Sequence, residues 1–330
     1  MAGVAIVVLN WNNWIDTIEC LESIFRIMYP NFRVIVVDNG STDGSVDRIS
    51  GWAEGSVVGL PEKAGPTFPA DAPVPKPFPY VVRDVAAGEG IDETPPLVII
   101  RSGTNLGFAG GNNVALRYLL KHDYWQYVWL LNNDTVVDPD ALTALQRRMT
   151  ESPRAGMCGS LLPYYDRPDT IWAQGGGTYN HWLASSGCIG NGLPVAKGFA
   201  RHEVEGRMKY VAGASMLVSR AFIEETGLMC EDYFLYFEEP DWAFRGRHRF
   251  RLAYAPESIV YHKVGMSTKK GSEPGTDIDR PEDYIFRNSL KFTRTFFPFS
   301  LPFVFVRVAF NRIRAWLGRI IRRMRSRFCA

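Results

Sequence analysis

The chain has 330 residues, 46% of them hydrophobic and 22% charged, with a formal net charge of +2 at pH 7. This length and composition predict two domains, or one large α/β domain with additions, around a sizeable core. The five cysteines form no CxxC pair, which argues against a disulfide framework or a zinc site and favours a reducing cytosol. No segment reaches the roughly 18 apolar residues needed to span a bilayer. The first apolar run ends at Leu9 and lacks the basic start of a signal peptide.

The net charge conceals a strong asymmetry along the chain. After Asp283 there are eleven basic residues and no acidic residue, whereas residues 1–283 contain 26 basic and 35 acidic residues. The body therefore carries a formal charge of −9, opposite in sign to the C-terminal segment. A basic segment on an acidic body suggests that the segment has an anionic partner of its own.

The first 150 residues alternate buried strands with amphipathic helices. Apolar runs predict strands at Val4–Leu9, Val34–Val37, 97–101 and 127–131, and helical spacing predicts helices over Ile15–Met28, 110–121 and 139–150. Residues 53–96 interrupt this order with seven prolines between Pro61 and Pro79, which is typical of an insertion or a long, partly disordered surface loop. The βαβα order predicts a mostly parallel, Rossmann-like sheet with helices on both faces.

The order loosens from residue 151 onward. Glycine-rich, aromatic segments at Ile171–Tyr179 and Trp182–Gly192 predict hairpins. The remaining elements are predicted as a strand over 210–218, a helix over 219–226, a helix over 240–249 and a strand over Ser258–Tyr261.

The most informative segment is VWLLNNDTVVDPDAL, residues 128–142. A buried strand ends there in Asn132, Asn133 and Asp134, and a carboxylate at the end of a core strand is suited to a divalent cation and a substrate phosphate. The alternative is an Asx turn into the next helix, with Asp138 as its N-cap and Pro139 at its first position. That alternative explains Asp138 but leaves Asn132–Asp134 unexplained.

Three other strand ends carry candidate binding residues. The first strand runs into Asn10, and the second delivers Asp38 into a Gly/Ser turn, where a carboxylate can accept the imide N–H of uracil or thymine. Asp43 in the same turn is better explained as a helix cap. His262 follows the strand Ser258–Tyr261; a single histidine is usually structural, but this position also suits contact with a metal or a phosphate.

Glycines in the segment NLGFAGGNN, residues 105–113, precede a predicted helix. Gly107, Gly110 and Gly111 would let backbone N–H groups approach an anion. The spacing differs from the GxGxxG dinucleotide fingerprint, so a nicotinamide enzyme is not expected.

An acidic pair lies among aromatic residues in EDYFLYFEEPDWAFRGR, residues 231–247. Burial and mutual repulsion of Glu238 and Glu239 should raise a pKa and produce a general base. The alternative is a helix start, where Glu239 and Asp241 favour the helix dipole. That alternative can hold for Asp241 while Glu239 still faces a cleft.

Together these segments resemble the family 2 glycosyltransferases over roughly residues 3–268, especially the bacterial rhamnosyltransferase-like branch. The resemblance implies a GT-A fold and inverting transfer of a sugar from a nucleotide diphosphate sugar, with Mg²⁺ or Mn²⁺ as cofactor. It implies that Asp134 and His262 contact the metal and that Glu239 is the base. The implied nucleotide-binding residues are Leu9, Asn10, Asp38, Asn105, Gly107, Gly110, Gly111, Asn112 and Asn133. The implied contacts to the acceptor or diphosphate are Asp241, Gly213 and Arg287.

The sequence departs from the family pattern at two places. The family's Asp-x-Asp is Asn132-Asn133-Asp134 here, which leaves one carboxylate for the metal. The family's Glu-Asp pair is Glu238-Glu239, so either glutamate can be the base.

These inferences predict a glycosyltransferase domain over residues 1–268, with a nucleotide-binding half (1–150), an acceptor half (151–268) and a tail (269–330). The expected acceptor is a hydroxyl of a glycan or lipid-linked molecule in cell-surface polysaccharide synthesis, and dTDP-rhamnose is one candidate donor. One alternative is a nucleotide-sugar-binding protein without catalysis. Another is a sugar-phosphate nucleotidyltransferase, although VVLNWNN lacks the glycine-rich loop with Arg and Lys that such an enzyme needs.

The tail has the pattern of an amphipathic, basic helix. An apolar patch over Phe296–Val306 is followed by apolar residues at helical spacing from Phe310 to Phe328, with arginines between them. Such a helix lies in a membrane interface with its arginines on anionic headgroups, which predicts a peripheral protein on the cytoplasmic face of the plasma membrane. The alternative is a helix packed on the protein's own acidic body. Nucleic acid is not expected as a partner, because no base-reading motif accompanies the charge.

Overall fold

The computed structural model describes residues 1–57, 74–85, 95–264 and 281–310, except 308. The strands are β1 (Val4–Asn10), β2 (Phe32–Asp38), β3 (Tyr80–Asp84), β4 (Leu97–Arg101), β5 (Tyr127–Asn132), β6 (Thr135–Val137), β7 (Ala155–Pro163), β8 (Ile171–Gln174), β9 (Gly176–Asn180), β10 (Ser185–Cys188), β11 (Tyr210–Val211), β12 (Ser215–Ser219) and β13 (Arg251–His262). The helices are α1 (Trp14–Ile24), α2 (Ser45–Glu54), α3 (Gly107–Leu119), α4 (Ala141–Glu151), α5 (Arg201–Arg207), α6 (Arg220–Thr226), α7 (Glu238–Gly246) and α8 (Pro281–Phe296).

One large mixed sheet organises the described part of the chain. Its strand order is β3-β4-β2-β1-β5-β12-β7-β13-β6, with β8 paired to β7. The five strands from β3 to β5 are parallel, whereas β12 runs antiparallel to both of its neighbours. The predicted mostly parallel α/β sheet is therefore confirmed. The expected halves 1–150 and 151–268 share this sheet, because β12 lies between β5 and β7.

Helices cover both faces of the sheet because its strands are apolar on both sides. Alternate residues of β1 enter different cores: Ile6 packs with α1, α2 and α4, and Val7 packs with α3, α6 and α7. A smaller antiparallel sheet, β10-β9-β11, lies beside the large one.

Part of the segment expected to be a proline-rich insertion is an edge strand. β3 pairs in parallel with β4, and Tyr80 is opposite Leu97. Phe78 packs edge-on against Trp52 with ring centroids 5.1 Å apart. The expectation of one loop over 53–96 was thus wrong for residues 80–84, because the proline count obscured a short apolar run that needs only one partner strand. Residues 58–73 and 86–94 lie outside the described residues.

The strand predicted over 210–218 is two strands in different sheets. β11 pairs with β9, and β12 pairs with β5 and β7. The chain changes sheets at Ala212–Ala214, and these residues line the large cavity described below.

The C-terminal segment begins as part of the body. Phe292 of α8 is fully buried with Tyr179 and Phe237, and Phe296 and Phe297 pack against this cluster. The apolar patch that the sequence assigns to a tail is therefore divided between this cluster and the surface. The predicted helical repeat beyond Phe310 lies outside the described residues. None of the described helices is long and apolar enough to cross a membrane.

Candidate active site

The carboxyl ends of β1, β2 and β5 lie side by side because these strands are parallel neighbours. In their register Asn10 is opposite Asp38, and Leu9 is opposite Asn132. The polar residues that follow three separate strands in the sequence therefore meet at one edge of the sheet. Ligands of open α/β sheets bind at such an edge.

Asn10 and Asp38 bond to each other at this edge. The Asn10 side-chain amide donates to Asp38 Oδ1 (2.9 Å) and to Ser41 Oγ (3.1 Å), and Asp38 Oδ2 accepts the Ser41 backbone N–H (3.1 Å). Both side chains are buried, and neither is among the described residues that line the cavity. Their observed role is to hold the turn after β2, and contact between Asp38 and a nucleotide base stays a prediction.

Asn133 connects the end of β5 to the start of α1. Its amide donates to Thr17 Oγ1 (3.0 Å) and to the carbonyl of Asn13 (3.3 Å). Thr17 in turn donates to Asn10 Oδ1 (2.8 Å). This buried amide network positions the loop that carries Asp134.

The N-terminus of α3 is bonded within the protein. The Gly107 N–H donates to Asn105 Oδ1 (2.9 Å), and the Phe108 N–H donates to the carbonyl of Phe234 (2.7 Å). These two N–H groups are therefore occupied within the protein, and contact between the glycines of this segment and an anion stays a prediction. Gly107 is required for a different reason: it has φ +71°, and a Cβ there would lie 2.2 Å from the Phe234 carbonyl oxygen. α3 therefore abuts residues 231–239, which we call the acidic loop.

The next residues of α3 face the protein interior. A Cβ at Gly111 would lie 2.5 Å from Leu9 Cδ1, and a Cβ at Gly110 would lie 2.7 Å from Leu106 Cβ. The Asn112 amide donates to the Phe108 carbonyl (2.9 Å). Gly110, Gly111 and Asn112 are not among the described residues that line the cavity. Leu9, Asn105 and Gly107 do line it.

Asp134 and His262 come together because β13 runs antiparallel to β6. His262 is opposite Thr135, and its Nε2 lies 3.3 Å from Asp134 Oδ1. The Lys263 N–H donates to the Asp134 carbonyl (3.0 Å), and the Lys263 ammonium bonds to two carboxylates of α1, Asp16 and Glu19. The pair is thus tied to two elements of the sheet edge.

The chemistry of this pair fits a divalent cation. Asp134 Oδ1 and His262 Nδ1 are buried and have no hydrogen-bond partner among the described residues, and a bound water or ion is one explanation for such atoms. Within the described residues no three His, Cys, Asp or Glu side chains form a complete metal site. A divalent cation held by this pair would therefore take most of its ligands from outside the described side chains.

The acidic loop ends in two carboxyl groups with different surroundings. Burial raises the pKa of Glu238 well above its ordinary value of 4.5, and the neighbouring Glu239 carboxylate raises that pKa further. Burial also raises the pKa of Glu239, while backbone N–H groups of Glu239 and Gly213 donate to its carboxylate and oppose that rise. A neutral Glu238 beside an ionised Glu239 is the arrangement that these contacts favour.

Gly213 is the close neighbour of the Glu239 carboxylate. A Cβ at position 213 would lie 2.5 Å from Glu239 Oε1 and 3.0 Å from Phe108 Cζ. The break between β11 and β12 thus supplies both the space and an N–H donor for this carboxylate.

Backbone strain is concentrated around the same space. Six non-glycine residues of the described part of the chain have positive φ angles: Asn12 (50°), which is not in the cavity lining, and five others, Phe234 (60°), Tyr236 (67°), Phe237 (79°), Ala184 (41°) and Val264 (44°). All five residues line the cavity. Each such conformation costs on the order of 1–3 kcal/mol and persists at functional sites where the surroundings impose it.

A cavity of about 770 Å³ joins these features. Its walls include Asn133, Asp134 and His262 on one side and Gly213, Glu238 and Glu239 on another. The volume is within the range of ligand pockets.

The glycosyl transferase family 2 model matches residues 5–65 and 78–225, well over half of the chain. The chain belongs to glycosyl transferase family 2.

This family 2 member has both sequence and structural relatives. It is 26% identical over 148 residues to the low-salt glycan biosynthesis hexosyltransferase Agl10 of Haloferax volcanii, a match that spans 45% of each chain. The mannosyltransferase PcManGT from Pyrobaculum calidifontis, solved with GDP-Man and Mn²⁺, matches with TM-score 0.50 and 15% identity, over 96% of this chain and 79% of its own. GalNAc-T7, solved with UDP, GalNAc and Mn²⁺, matches with TM-score 0.54 and 14% identity, over 87% and 47%. These structural matches confirm the GT-A-like fold.

The family 2 match ends before the acidic loop. Asn10, Asp38, Asp134 and Gly213 lie inside the matched ranges, whereas the Glu238–Glu239 pair lies outside them. The structure brings both groups to one cavity, so the family assignment and the acid pair are independent observations.

Two residues predicted for the family 2 site are bonded elsewhere. Asp241 accepts from Tyr233 (3.2 Å) and Arg245 (2.7 Å), and the Arg287 guanidinium lies over the Tyr284 ring at 5.1 Å. Asp241 and Arg287 are not part of the described cavity lining. The observed contacts of Asp241 support the alternative of a structural role in α7.

Several residues of the family 2 cavity escaped the sequence reasoning. Trp172 packs edge-on against His262 at 4.4 Å, and Arg307 is the one Lys or Arg among the described residues of the lining. Cys188 also lines the cavity, and burial raises the pKa of its thiol to about 11. The thiol therefore stays protonated near neutral pH and is a poor nucleophile. No local signal identifies these residues, because each reaches the cavity through pairing that is distant in the sequence.

Proposed function

We propose that this chain is an inverting glycosyltransferase that moves a sugar from a nucleotide diphosphate sugar to an acceptor hydroxyl. The observation that carries the proposal is that Asp134 and Glu239 line one cavity: Asp134 has a buried oxygen without a hydrogen-bond partner among the described residues, and Glu239 has a raised pKa. The first group suits the diphosphate end of a donor, and the second suits removal of a proton from an acceptor.

On the donor side, the nucleotide lies over the carboxyl ends of β1, β2 and β5. Leu9, Asn39, Asn105 and Gly107 line that part of the cavity. Asn39 donates to Asn105 Oδ1 (3.0 Å) and to the Gly107 carbonyl (3.1 Å), so this wall is preformed. Asp38 supports this wall from the side away from the cavity. Its carboxylate would contact a nucleotide base only if the turn after β2 shifted.

Asp134 and His262 would hold Mg²⁺ or Mn²⁺ together with the donor diphosphate. The bound ion would neutralise charge that develops on the departing diphosphate. With only one carboxylate in the site, the donor's own oxygens must supply a large part of the ligand set. The Mn²⁺ present with two structural neighbours makes this ion the first one to test.

Glu239 acts as the general base. Its carboxylate removes the proton from the acceptor hydroxyl as the oxygen attacks the anomeric carbon from the face opposite the diphosphate, and this geometry inverts the anomeric centre. Glu238 stays protonated, so the acid pair carries a single negative charge, on Glu239.

The acceptor side opens towards an apolar rim, which we define as Trp182, Leu183, Phe303, Val306 and Phe310. These side chains are 49–67% exposed, and Phe303 packs edge-on against Trp182 at 5.4 Å. Arg307, which lines the cavity, shares a helical face with Phe303 and Phe310, which lie four residues before it and three residues after it. Contiguous exposed apolar side chains beside a cation suit a membrane surface and a lipid-linked acceptor.

Agl10, to which part of this chain is similar, is a hexosyltransferase by name, which supports a hexose donor. dTDP-rhamnose remains one candidate donor, through the resemblance to the rhamnosyltransferase-like branch. Cell-surface polysaccharide synthesis is the role in which a lipid-linked acceptor would be used.

The experiment is a panel of UDP-, GDP- and dTDP-sugars with Mn²⁺, read first as thermal shift and then as release of nucleoside diphosphate without acceptor. We expect one base and sugar to stabilise the protein and to be slowly hydrolysed. Stabilisation without hydrolysis or transfer would favour a non-catalytic nucleotide-sugar-binding protein. Release of pyrophosphate from a nucleoside triphosphate and a sugar phosphate would favour a nucleotidyltransferase.

A further inference from the structure

Asn288 of α8 bonds to the acidic loop from outside the cavity. Its side-chain nitrogen lies 2.8 Å from the carbonyl oxygens of Tyr233 and Leu235, and 2.9 Å from that of Tyr236. Asn288 is fully buried, and its Oδ1 has no partner among the described residues. Since an amide has only two N–H groups, the three carbonyls share them. The contacts are thus directed wholly at the backbone of this one loop.

The loop would not adopt its conformation on its own. Phe234 has φ 60° and ψ −57°, and the Leu235 N–H donates to the Tyr233 carbonyl at 2.7 Å. These angles and this bond define a γ-turn with positive φ, a rare and strained form. Tyr236 and Phe237 follow with positive φ and lead directly into Glu238.

The bonds of Asn288 reach the acid pair through Tyr236. The Tyr236 carbonyl accepts from Asn288, and the backbone N–H of the same residue donates to the Glu238 carboxyl group. On the other side of the loop, the Phe108 N–H donates to the Phe234 carbonyl. The strained segment is therefore held between α3 and α8, and the acid pair lies at its end.

We infer that Asn288 is a positioning residue: its amide latches the carbonyls of the acidic loop and thereby sets where Glu238 and Glu239 lie in the cavity. This inference rests on the proposed role of Glu239 as base. It gives α8 a part in catalysis, although α8 lies beyond the family match and in the segment predicted as a tail.

The test compares Asn288→Ala and Asn288→Asp with Ser289→Ala. Ser289 is also buried on the same helix, and within the described part of the chain its hydroxyl donates to the carbonyl of Phe286 alone, so its variant is the matched control. The measurements are kcat, donor KM, the pH profile of kcat/KM, and hydrogen exchange of the amides of Leu235 and Phe108. The exchange rates report on the loop whether or not the protein is active.

We expect Asn288→Ala to lower kcat by about 10–100-fold at unchanged donor KM, because small displacements of a catalytic group have effects of this size. The acid limb of its pH profile should move, and both reporter amides should exchange about 10-fold faster, as expected for the loss of one or two hydrogen bonds. Asn288→Asp, which is neutral when buried and retains one donor, should be intermediate. Ser289→Ala should match the unaltered protein.

Unchanged kcat and exchange in a folded Asn288→Ala variant would overturn the inference. A fall in melting temperature with kcat and pH profile preserved would also overturn it, because that pattern indicates a purely structural asparagine. If Asn288→Ala does not fold, the same comparison is made with Asn288→Asp. If the unaltered protein turns over no donor, the proposed function has failed, but hydrogen exchange still tests the role of Asn288. Faster exchange confined to the acidic loop in Asn288→Ala would support the latch. Unchanged exchange would overturn it.

Discussion

At the scale of single residues, the acid pair shows how one cavity separates two identical side chains. Glu238 is 2% exposed and has one carboxyl oxygen that bonds to none of the described residues, whereas Glu239 is partly open to the cavity and receives the Gly213 N–H. Adjacent buried carboxyl groups ionise one after the other. The less buried group, Glu239, whose pKa is raised less, therefore ionises first and is the one suited to accept a proton.

The first prediction separates the two glutamates by activity. Glu239→Gln should lower kcat by about 10²–10⁴-fold, the usual loss for a general base, with donor affinity nearly unchanged. Turnover of the unaltered protein should fall as pH drops through the raised pKa of Glu239, so this limb should lie above pH 4.5. Glu238→Gln should keep most activity and the same limb. An inactive Glu238→Gln with an active Glu239→Gln would show that the roles are exchanged.

The second prediction concerns stability. The pKa of Glu238 is higher in the folded protein than its ordinary value of 4.5, so folding takes up a proton above that pH and stability is lost as pH rises through the folded pKa. Glu238→Gln removes this pH-dependent loss of stability, because glutamine does not ionise, and it keeps a side-chain oxygen that accepts from the backbone N–H groups. Its melting temperature should equal that of the unaltered protein near pH 4 and exceed it increasingly towards pH 8, as read by calorimetry. A gap that narrows with rising pH would contradict the assignment.

The third prediction concerns Asp134. Asp134→Asn should abolish most turnover and remove any gain in nucleotide affinity caused by Mn²⁺, measured by calorimetric titration with and without the ion. Asp138→Asn is the control, because Asp138 bonds to the backbone N–H of Asp140 at the start of α4. Full activity in excess EDTA would refute the metal and leave the fold assignment intact.

At the scale of elements, the site depends on where strands stop. β11 and β12 are one apolar run in the sequence, yet they belong to different sheets, and the break leaves Gly213 beside Glu239. A strand that continued through residues 212–214 would close this wall of the cavity. Glycine is needed because the carboxylate occupies the space of a side chain.

The fourth prediction tests this contact. A Cβ at position 213 must displace Glu239, so Gly213→Ala should lower kcat about 10–100-fold with little change in donor binding. Gly187→Ala in β10 is the control, because a Cβ there meets nothing within 4 Å although its neighbours Ser186 and Cys188 line the same cavity. Equal activity of the two variants would show that the close approach at Gly213 has no catalytic role.

At the scale of the whole molecule, charge and exposed apolar surface coincide at the C-terminal end. The apolar rim adjoins the cavity through Arg307, and residues 311–330 add seven arginines without an acidic residue. Each basic residue near an anionic membrane adds about 1 kcal/mol of binding free energy. The acidic remainder of the chain would be repelled, so membrane contact would orient the cavity towards the lipid.

The fifth prediction follows from this distribution. Removal of residues 311–330 should release the protein from anionic liposomes in a sedimentation assay and leave nucleotide-sugar binding intact. A full-length variant with these seven arginines changed to glutamine should show the same loss if charge dominates. Neutral liposomes and high salt are the controls. Failure of the unaltered protein to bind anionic liposomes at low salt would refute the membrane proposal.

The sequence by itself determined the sheet and the edge at which the site lies. Buried strands are continuous apolar runs, and each ends in polar residues such as Asn10, Asp38 or Asn132, so both their class and their functional end can be inferred locally. The family resemblance depends on the same segments and was confirmed. β3 was missed because an edge strand needs only a short apolar run, which the surrounding prolines concealed.

Only the tertiary structure decided which groups at that edge face the cavity. Asp38 and Asn10 bond to each other behind its wall, whereas Asp134 and His262 each keep a buried atom without a hydrogen bond to the described residues; this difference arises from packing between β13, β6 and α1. The latch from Asn288 joins positions that are 52–55 residues apart. No local pattern contains such a contact, because the strain of the acidic loop and the group that holds it exist only after α8 packs against the body.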